Sequence, residues 1–465
     1  QLVLAIKRNW VKHAPNAPQC SSAGALIRQL YEQLPFELTD AQKRVVREIY
    51  SDLQHPEPMQ RLLQGDVGSG KTVVAALVAA IMVANGYQTA IMAPTEILAE
   101  QHSRSFAQFF SPLKVRSALI IGNQRKSERD ELLESLSKGD ISIVIGTHAL
   151  IQDKVNFHKL GLVIIDEQHR FGVDQRGALI RKGISPHMLA MTATPIPRTL
   201  SITLYGDMDI SVIDQMPSGR QAISTKSVRP DQLPKVYDFI KNELTAGRQA
   251  YIVYPLISES QALDLEAAEK GFEYLSKNVF KNFKLALLHG KTHRDEKDET
   301  MRRFLAGDIQ ILVSTTVIEV GVNVPNSTIM LIENAERFGL TQLHQLRGRV
   351  GRGAEKSYCI LVNRQATEQG RLRLRILENE TNGFIISEED LKLRGPGDYF
   401  SYRQHGDAGL KVADLMKDSG LIATAREAAF SIVEKDAQLL APQYQSARKF
   451  FLKHYKDKLD YATIG

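Results

Sequence analysis

The sequence predicts an α/β fold: two lobes of parallel sheet in tandem, then a mainly helical C-terminal region. Short, almost continuous apolar runs alternate with amphipathic stretches over 36–215 and again over 216–375. Such runs are typical of parallel strands that helices cover on both faces. From residue 376 onward the pattern is mainly helical, and 465 residues exceed the length of one ordinary domain. We therefore expect four segments, at 1–35, 36–215, 216–375 and 376–465.

The composition is that of a globular protein with a sizeable core, at 43% hydrophobic and 24% charged residues. A net charge of +6 and a pI near 9.0 are compatible with a nucleic-acid partner. The two cysteines, Cys20 and Cys359, stand far apart, which argues against a disulfide framework or zinc site and predicts a reducing, cytoplasmic setting. The longest apolar run, 73–84, is too short to span a bilayer, so no membrane association is expected.

The segment before the first lobe is amphipathic and is broken by Pro15 and Pro18. We expect it to be the trailing edge of a preceding domain, since the chain begins with Gln1. Thr39 suits the N-cap of the helix that follows. Gln42 is either an exposed polar residue of that helix or an amide that reads the donor and acceptor edge of adenine. We favour the adenine interpretation because a phosphate-binding loop follows.

The central motif is G-x-x-x-x-G-K-T, between an apolar run and the apolar helix predicted at 73–84. Its glycines let backbone N–H groups wrap a phosphate, and the helix N-terminus adds partial positive charge. Lys71 is expected to reach the β and γ phosphates, and the Thr72 hydroxyl to ligate Mg²⁺. A glycine-rich turn with a chance lysine is the alternative. The residues assigned to nucleotide binding here are Gly65, Gly68, Ser69, Gly70, Lys71 and Thr72.

Ten further strands are predicted. In parallel sheets, functional residues usually lie at the carboxyl ends of the strands. The predicted strands are 89–93, 117–121, 141–147, 160–166 and 188–192 in the first lobe, and 250–254, 285–288, 309–314, 328–332 and 358–362 in the second. The run 162–165 delivers Asp166 and Glu167 to the sheet edge beside the phosphate loop. We expect Asp166 to hold Mg²⁺ with Thr72, and Glu167 to orient and deprotonate the attacking water. Neighbouring acids at a strand end are common, so this assignment depends on the loop upstream.

Two further polar residues, His169 and Thr192, follow strands in the first lobe. They are either ordinary strand-end residues or hydrogen-bond partners that link the hydrolysis site to the nucleic-acid side. In the second lobe, Arg349 and Arg352 stand three apart in a glycine-rich run at 345–353. They could share one helix face and stabilise the transition-state phosphoryl group when the lobes close. A solvated basic patch or a plain DNA contact is the alternative, and Arg347 is left unassigned.

Eight motifs follow the order found in superfamily-two helicases. They lie at 36–42, 65–72, 93–96, 166–169, 192–194, 288–290, 313–325 and 345–352. The chain more closely resembles the RecG family, bacterial ATP-dependent DNA helicases that remodel stalled forks and recombination junctions. The runs 163–173, 196–200 and 343–353 carry this resemblance. Residues 390–406 resemble the translocation motif that RecG shares with the transcription-repair coupling factor. The resemblance covers almost the whole chain from about residue 25.

The resemblance implies two RecA-like lobes that bind ATP and Mg²⁺ between them, followed by a translocation hairpin. It implies nucleotide contacts by Phe36 and Asn323, and a monomer that acts on branched and duplex DNA, with single-stranded DNA-binding protein as a further partner. Fork regression and Holliday-junction branch migration are the implied outcomes. DNA-contact or coupling roles are implied for Thr95, Thr147, His148, His169, Thr192, Thr315, Arg394, Arg403 and Gln404.

Three departures from the family pattern stand out. RecG chains carry an N-terminal wedge domain that this sequence lacks, Asn323 stands where Asp is usual, and Ser401-Tyr402 stand where Gly-Thr is expected. One rival is the transcription-repair translocase, whose acidic box usually has a second Glu where this chain has Gln168. An RNA helicase is weaker, since it has no translocation motif. The rival from another class is a nucleotide-gated module that clamps DNA without turnover.

Overall fold

The computed structural model describes the chain except for residues 13–16, 123, 198–205, 207, 218–220, 256–260, 316–323, 354, 366, 395–418 and 461–465. The chain forms two compact units. The first contains Gln1–Met216 together with Arg394–Gly465, and the second is Pro217–Leu393. The chain passes from the first unit to the second between Met216 and Pro217, in a stretch whose composition is typical of a loop.

The first unit is built on a parallel sheet of seven strands among its described residues, in the order β3-β4-β2-β5-β6-β1-β7. The strands are β1 (Gln60–Gly65), β2 (Gln88–Met92), β3 (Ser117–Ile120), β4 (Ile143–Gly146), β5 (Leu160–Ile165), β6 (His187–Thr192) and β7 (Asp209–Ile213). The helices are α1 (Leu2–Lys12), α2 (Gly24–Gln33), α3 (Asp40–Leu53), α4 (Lys71–Ala84), α5 (Glu96–Phe110), α6 (Lys126–Lys138) and α7 (Val173–Ile180). The central strands are buried along their whole length because helices cover both faces.

Helix α4 is apolar on all sides, and every residue from Val73 to Met82 is buried. A helix of this kind has no solvent face, so it packs in the core rather than on the surface. It therefore holds the loop between β1 and α4 against a rigid support.

The second unit has a six-stranded parallel sheet in the part of the chain described, ordered β10-β11-β9-β12-β13-β8. Its strands are β8 (Ser224–Val228), β9 (Gln249–Val253), β10 (Leu285–Leu288), β11 (Ile311–Ser314), β12 (Ser327–Ile332) and β13 (Tyr358–Val362). Its helices are α8 (Leu233–Thr245), α9 (Gln261–Tyr274), α10 (Arg294–Leu305), α11 (Leu340–Arg347), α12 (Glu368–Asn379) and α13 (Gly383–Arg394). A π-helix, Leu275–Val279, continues α9.

All ten predicted strands are present, with ends within two residues of the predicted ones. The sequence did not predict β7 and β8, which lie at the outer edges of the two sheets. Their side chains are mostly half-buried and partly polar, as in the segment Ser-Thr-Lys-Ser-Val of β8. β7 and β8 lack the continuous apolar run by which a buried parallel strand is found.

The two ends of the chain pack together in the first unit. The C-terminal helices α14 (Ser419–Lys435) and α15 (Gln445–Asp460) share a small apolar cluster with α1. The cluster consists of Ala5, Ile6, Ala429, Val433, Leu439 and Phe451. Arg8 adds an ion pair of 2.6 Å to Asp209 at the start of β7, and the Arg8 and Arg426 guanidinium groups lie over the Phe430 ring. Among the described residues, no helix has the length and apolar composition that crossing a membrane requires.

Candidate nucleotide-hydrolysis site

The loop between β1 and α4 is shaped by its glycines. Gly68 and Gly70 have φ values of 80° and 87°, in the left-handed region that favours glycine. A Cβ on Gly70 would lie 2.2 Å from the Gln42 amide nitrogen, so any other residue would be strained in φ and would displace the Gln42 amide. Lys71 opens α4, and its Nζ donates to the carbonyl oxygens of Gly65 at 2.9 Å and Asp66 at 3.0 Å. The loop is thus a compact cradle with its lysine folded over it.

The Gln42 amide connects the start of α3 to this cradle. Its Oε1 accepts from the Thr39 backbone N–H at 2.9 Å, and its Nε2 donates to the Ser69 carbonyl at 2.8 Å. Thr39 caps α3 as predicted, because its hydroxyl oxygen accepts from the Gln42 N–H. The alternative of an exposed Gln42 is wrong, since the side chain is 1% exposed. The amide has a second N–H and a second lone pair, so the adenine contact stays a prediction. Phe36 lies nearby in sequence and is 46% exposed.

Asp166 directly follows β5, at the sheet edge where β1 and β6 also end. β6 lies between β1 and β5, so the loop after β6 separates the phosphate cradle from the acidic pair. Burial alone would raise the pKa of the Asp166 carboxyl. The hydrogen bond and charge of His102, the charge of Lys71 and the Glu167 N–H outweigh burial and hold that pKa below its usual range. The carboxylate is therefore ionised and available to a cation.

Glu167 adopts a backbone conformation that is rare for a residue with a side chain. Its φ is 50°, in the left-handed region, which costs about 1 kcal/mol or more and is common at functional sites. The side chain is 6% exposed, and its Oε2 accepts from the Ala193 N–H at 3.4 Å. The turn thus directs the carboxylate towards the loop after β6, where a water beside the phosphates could be bound.

The end of β5 and the start of α4 carry oxygen ligands of the kind that Mg²⁺ accepts in proteins. Among the described residues no group of three or more His, Cys, Asp or Glu side chains is arranged to hold an ion. Mg²⁺ is usually bound by one or two carboxylates together with substrate phosphates and waters. Asp166 offers an ionised carboxylate, and the half-buried Thr72 offers a hydroxyl at the first turn of α4. These two residues would hold the ion with the nucleotide phosphates.

The residues implied in DNA contact or coupling differ in accessibility. Thr95 is the half-buried N-cap of α5, its hydroxyl accepting from Leu98 N at 3.4 Å, and His148 is exposed. Thr147 and Thr315 are fully buried, and among the described residues neither hydroxyl has a hydrogen-bond partner. Thr192 is buried, and its hydroxyl accepts from the Thr194 N–H.

Several implied residues cannot be placed. Asn323, Arg403 and Gln404 lie outside the described residues, as do the side chains of His169 and Arg394. The predicted bond between His169 and Thr192 therefore stays a prediction.

The expectation that Arg349 and Arg352 share one helix face is wrong. Helix α11 ends at Arg347, and both arginines follow it in a turn. Gly348 caps the helix, and Gly351 has a φ of 76°, which a helix does not permit. Arg349 is buried, whereas Arg352 is half-buried with its Nε donating to the Gly348 carbonyl at 3.4 Å.

Arg347, unassigned from the sequence, is the centre of a buried hydrogen-bond network. Its side chain is 3% exposed. One guanidinium nitrogen donates to the carbonyls of Leu377 and Glu380, each at 2.8 Å, and the other lies 2.8 Å from His344 Nδ1. Arg347 thus ties the end of α11 to the end of α12.

Asp390 of α13 binds the other end of α11. Its carboxylate accepts from the Leu340 N–H at 3.1 Å and from the Thr341 hydroxyl at 2.8 Å. A carboxylate at a helix N-terminus satisfies free N–H groups and is favoured by the helix dipole. The helix that precedes the arginine turn is therefore fixed at both ends by α12 and α13.

Sequence reasoning missed His102, whose Nε2 lies 2.8 Å from Asp166 Oδ2. His102 is on the buried face of α5 with Leu98 and Phe106, four residues to either side. A polar side chain on an apolar helix face requires a partner, and this was the available signal. The partner itself lies 64 residues along the chain and is not readable from local pattern.

The chain is similar to known proteins along most of its length. Family models match at residues 39–202 (DEAD/DEAH box helicase), 231–354 (helicase conserved C-terminal domain) and 380–465 (ATP-dependent DNA helicase RecG, domain 3, C-terminal). ATP-dependent DNA helicase RecG of Bacillus subtilis is 53% identical over 92% of this chain, and that of Aquifex aeolicus is 46% identical over all of it. The chain spans 63% and 59% of these two relatives.

A solved structure, of RecG bound to a three-way DNA junction, is also similar. It has a TM-score of 0.78 and 47% identity, and the match covers 90% of this chain and 55% of that one. A TM-score of this size over 90% of the chain supports the fold of two parallel α/β lobes in tandem. The chain is RecG-like: about 90% of its length is similar to ATP-dependent DNA helicase RecG, and residues 380–465 match RecG domain 3.

Proposed function

We propose that this chain is an ATP-driven motor on double-stranded DNA that remodels branched DNA, by fork regression and Holliday-junction branch migration. One observation carries the motor part of this proposal. A single edge of the first sheet combines the glycine cradle and Lys71 with the ionised Asp166 and the constrained Glu167. Phosphoryl transfer to water needs these groups: a phosphate cradle, a cation site and a group that orients water.

Each residue has a distinct part in hydrolysis. Lys71 releases the carbonyls of Gly65 and Asp66 and binds the β and γ phosphates instead. Mg²⁺, when bound by Thr72 and Asp166, neutralises developing negative charge on the phosphates. Glu167 accepts a proton from the attacking water, since its carboxylate is buried beside the loop after β6.

In this proposal, arginines of the second unit stabilise the negative charge that develops on the transferred phosphoryl group. Arg349 and Arg352 follow α11. Asp390 holds the start of this helix and Arg347 holds its end. A well-held turn positions a guanidinium with little loss of conformational freedom, which is what transition-state stabilisation requires. Plain contact with DNA phosphates is the second candidate role for these two arginines.

The DNA part of the proposal rests on the RecG-like sequence and on RecG having been solved with a three-way junction. Thr95 and His148 are the accessible candidates for DNA contact, and the net charge of +6 favours a polyanion. Arg394, Arg403 and Gln404 are proposed to form a lever that converts closure of the lobes into DNA movement. We further propose a cytoplasmic monomer, with single-stranded DNA-binding protein as a partner; both cysteines are free and buried, as a reducing compartment allows.

Phosphate release with and without forked DNA tests the motor. We expect DNA to stimulate release by the wild type, and Lys71→Ala to abolish it. Lys154→Ala is the matched control, because Lys154 is exposed on the same unit. A wild type that binds DNA in an ATP-dependent way but releases no phosphate would instead be a nucleotide-gated clamp. Stimulation by RNA but not by DNA would favour an RNA helicase.

A further inference from the structure

We infer that His102 is a positioning residue, which holds the Asp166 carboxylate in the orientation that binds the nucleotide-bound cation. The inference rests on the proposed ATP hydrolysis. His102 Nε2 lies 2.8 Å from Asp166 Oδ2, and both residues are largely buried. A carboxylate oxygen accepts hydrogen bonds, so His102 donates through Nε2 in this contact.

Two hydrogen bonds from separate elements fix the carboxylate. Oδ2 accepts from His102 on α5, and Oδ1 accepts from the Glu167 N–H at 3.1 Å, in the turn after β5. With one bond on each oxygen, rotation about the Cβ–Cγ bond breaks at least one of them. An ionised carboxylate accepts about four hydrogen bonds, so each oxygen keeps a lone pair for a cation or its water. The His102 bond therefore orients Asp166 without blocking it.

Packing alone does not account for a histidine at this position. His102 lies one helical turn from Leu98 and one from Phe106, both fully buried. An apolar side chain would suit that stripe without needing a partner, whereas a buried imidazole costs free energy unless it is hydrogen-bonded. The bond that His102 makes is to the carboxylate on which the cation site depends. Residues that orient metal ligands in this way typically change metal affinity or activity by about 10–100-fold when replaced.

The test uses Mn²⁺ in place of Mg²⁺, because bound Mn²⁺ is lost from the free-ion electron paramagnetic resonance signal. The protein is titrated with Mn²⁺ in the presence of ADP. We expect His102→Leu to weaken Mn²⁺ binding by about 10–100-fold, while ADP affinity measured without metal stays at the wild-type value. His102→Gln retains an N–H donor and should recover most of the Mn²⁺ affinity. Phe106→Leu is the control, since it perturbs the same face of α5 without touching Asp166.

Three results would overturn the inference: wild-type Mn²⁺ affinity in His102→Leu, an equal loss in His102→Leu and His102→Gln, or an equal loss in Phe106→Leu. The first would show that the bond is dispensable, and the others that packing of α5 matters instead. These outcomes are distinct from failure of the proposed function. A wild type that binds Mn²⁺ with ADP but hydrolyses no ATP would refute the motor and leave the comparison of His102 variants valid.

Discussion

Replacing Arg347 separates a structural arginine from the arginines proposed for catalysis. Arg347→Ala removes the donors to two carbonyls, the buried one of Leu377 and the half-buried one of Glu380. Each acceptor left unpaired costs about 1–3 kcal/mol, so we expect a loss of roughly 2–6 kcal/mol in unfolding free energy. For a unit of this size, 1 kcal/mol corresponds to about 2–4 °C in Tm, which gives a fall between about 4 and 24 °C.

Calorimetry of the whole chain measures the fall in Tm of Arg347→Ala, with Arg371→Ala as control. Arg371 is exposed on α12, so its replacement should change stability by less than about 0.5 kcal/mol. Arg347→Lys keeps one charged donor group but not the planar fork, and we expect a Tm between those of wild type and Arg347→Ala. An unchanged Tm combined with collapsed ATP turnover would refute the reasoning and place Arg347 with the catalytic arginines.

Further predictions concern catalysis and pH. Lys71→Ala should weaken nucleotide binding, whereas Glu167→Gln should trap bound ATP. A fluorescent-nucleotide titration distinguishes these two effects. ATP turnover at the wild-type rate in either variant would contradict the assignment of the hydrolysis site. Arg349→Ala and Arg352→Ala should each slow turnover by about 10³–10⁵-fold with little change in ATP affinity, and surviving turnover would assign them to DNA phosphates. Burial lowers the pKa of His187, despite its bond to the Pro18 carbonyl and the charge of Asp52, so the folded state disfavours its proton. Stability should therefore fall as pH drops below the unfolded-state pKa of about 6.5. His187→Gln, which keeps a donor and cannot titrate, should show a flatter dependence of Tm on pH; parallel profiles would count against this cause.

The sequence predicted those parts of the site whose chemistry is local. The glycine cradle and the acidic pair after β5 are each contained in a few consecutive residues, and β5, which carries the acidic pair, is an almost continuous apolar run. Gln42 was recognised by its position upstream of the cradle, but its two bonds, to Thr39 and Ser69, needed the structure.

What the sequence did not predict depends on contacts between distant residues. His102 meets Asp166 across 64 positions, and Arg347 meets Leu377 and Glu380 across 30 and 33 positions. Spacing by three suggested a helix for Arg349 and Arg352, but Gly348 caps the helix at Arg347, and Gly351, between the two arginines, has a positive φ. Glycine was the local signal against a helix there, and it outweighs the spacing.

The most direct test of the central claim is conversion of a synthetic replication fork by the protein, followed on a gel with ATP present. The account predicts that the wild type converts the fork to regressed products only when ATP is hydrolysed. Glu167→Gln should bind the same fork and leave it unconverted. Fork conversion by Glu167→Gln at the wild-type rate, or by the wild type with a non-hydrolysable ATP analogue, would contradict the claim that hydrolysis at this site drives the remodelling of branched DNA.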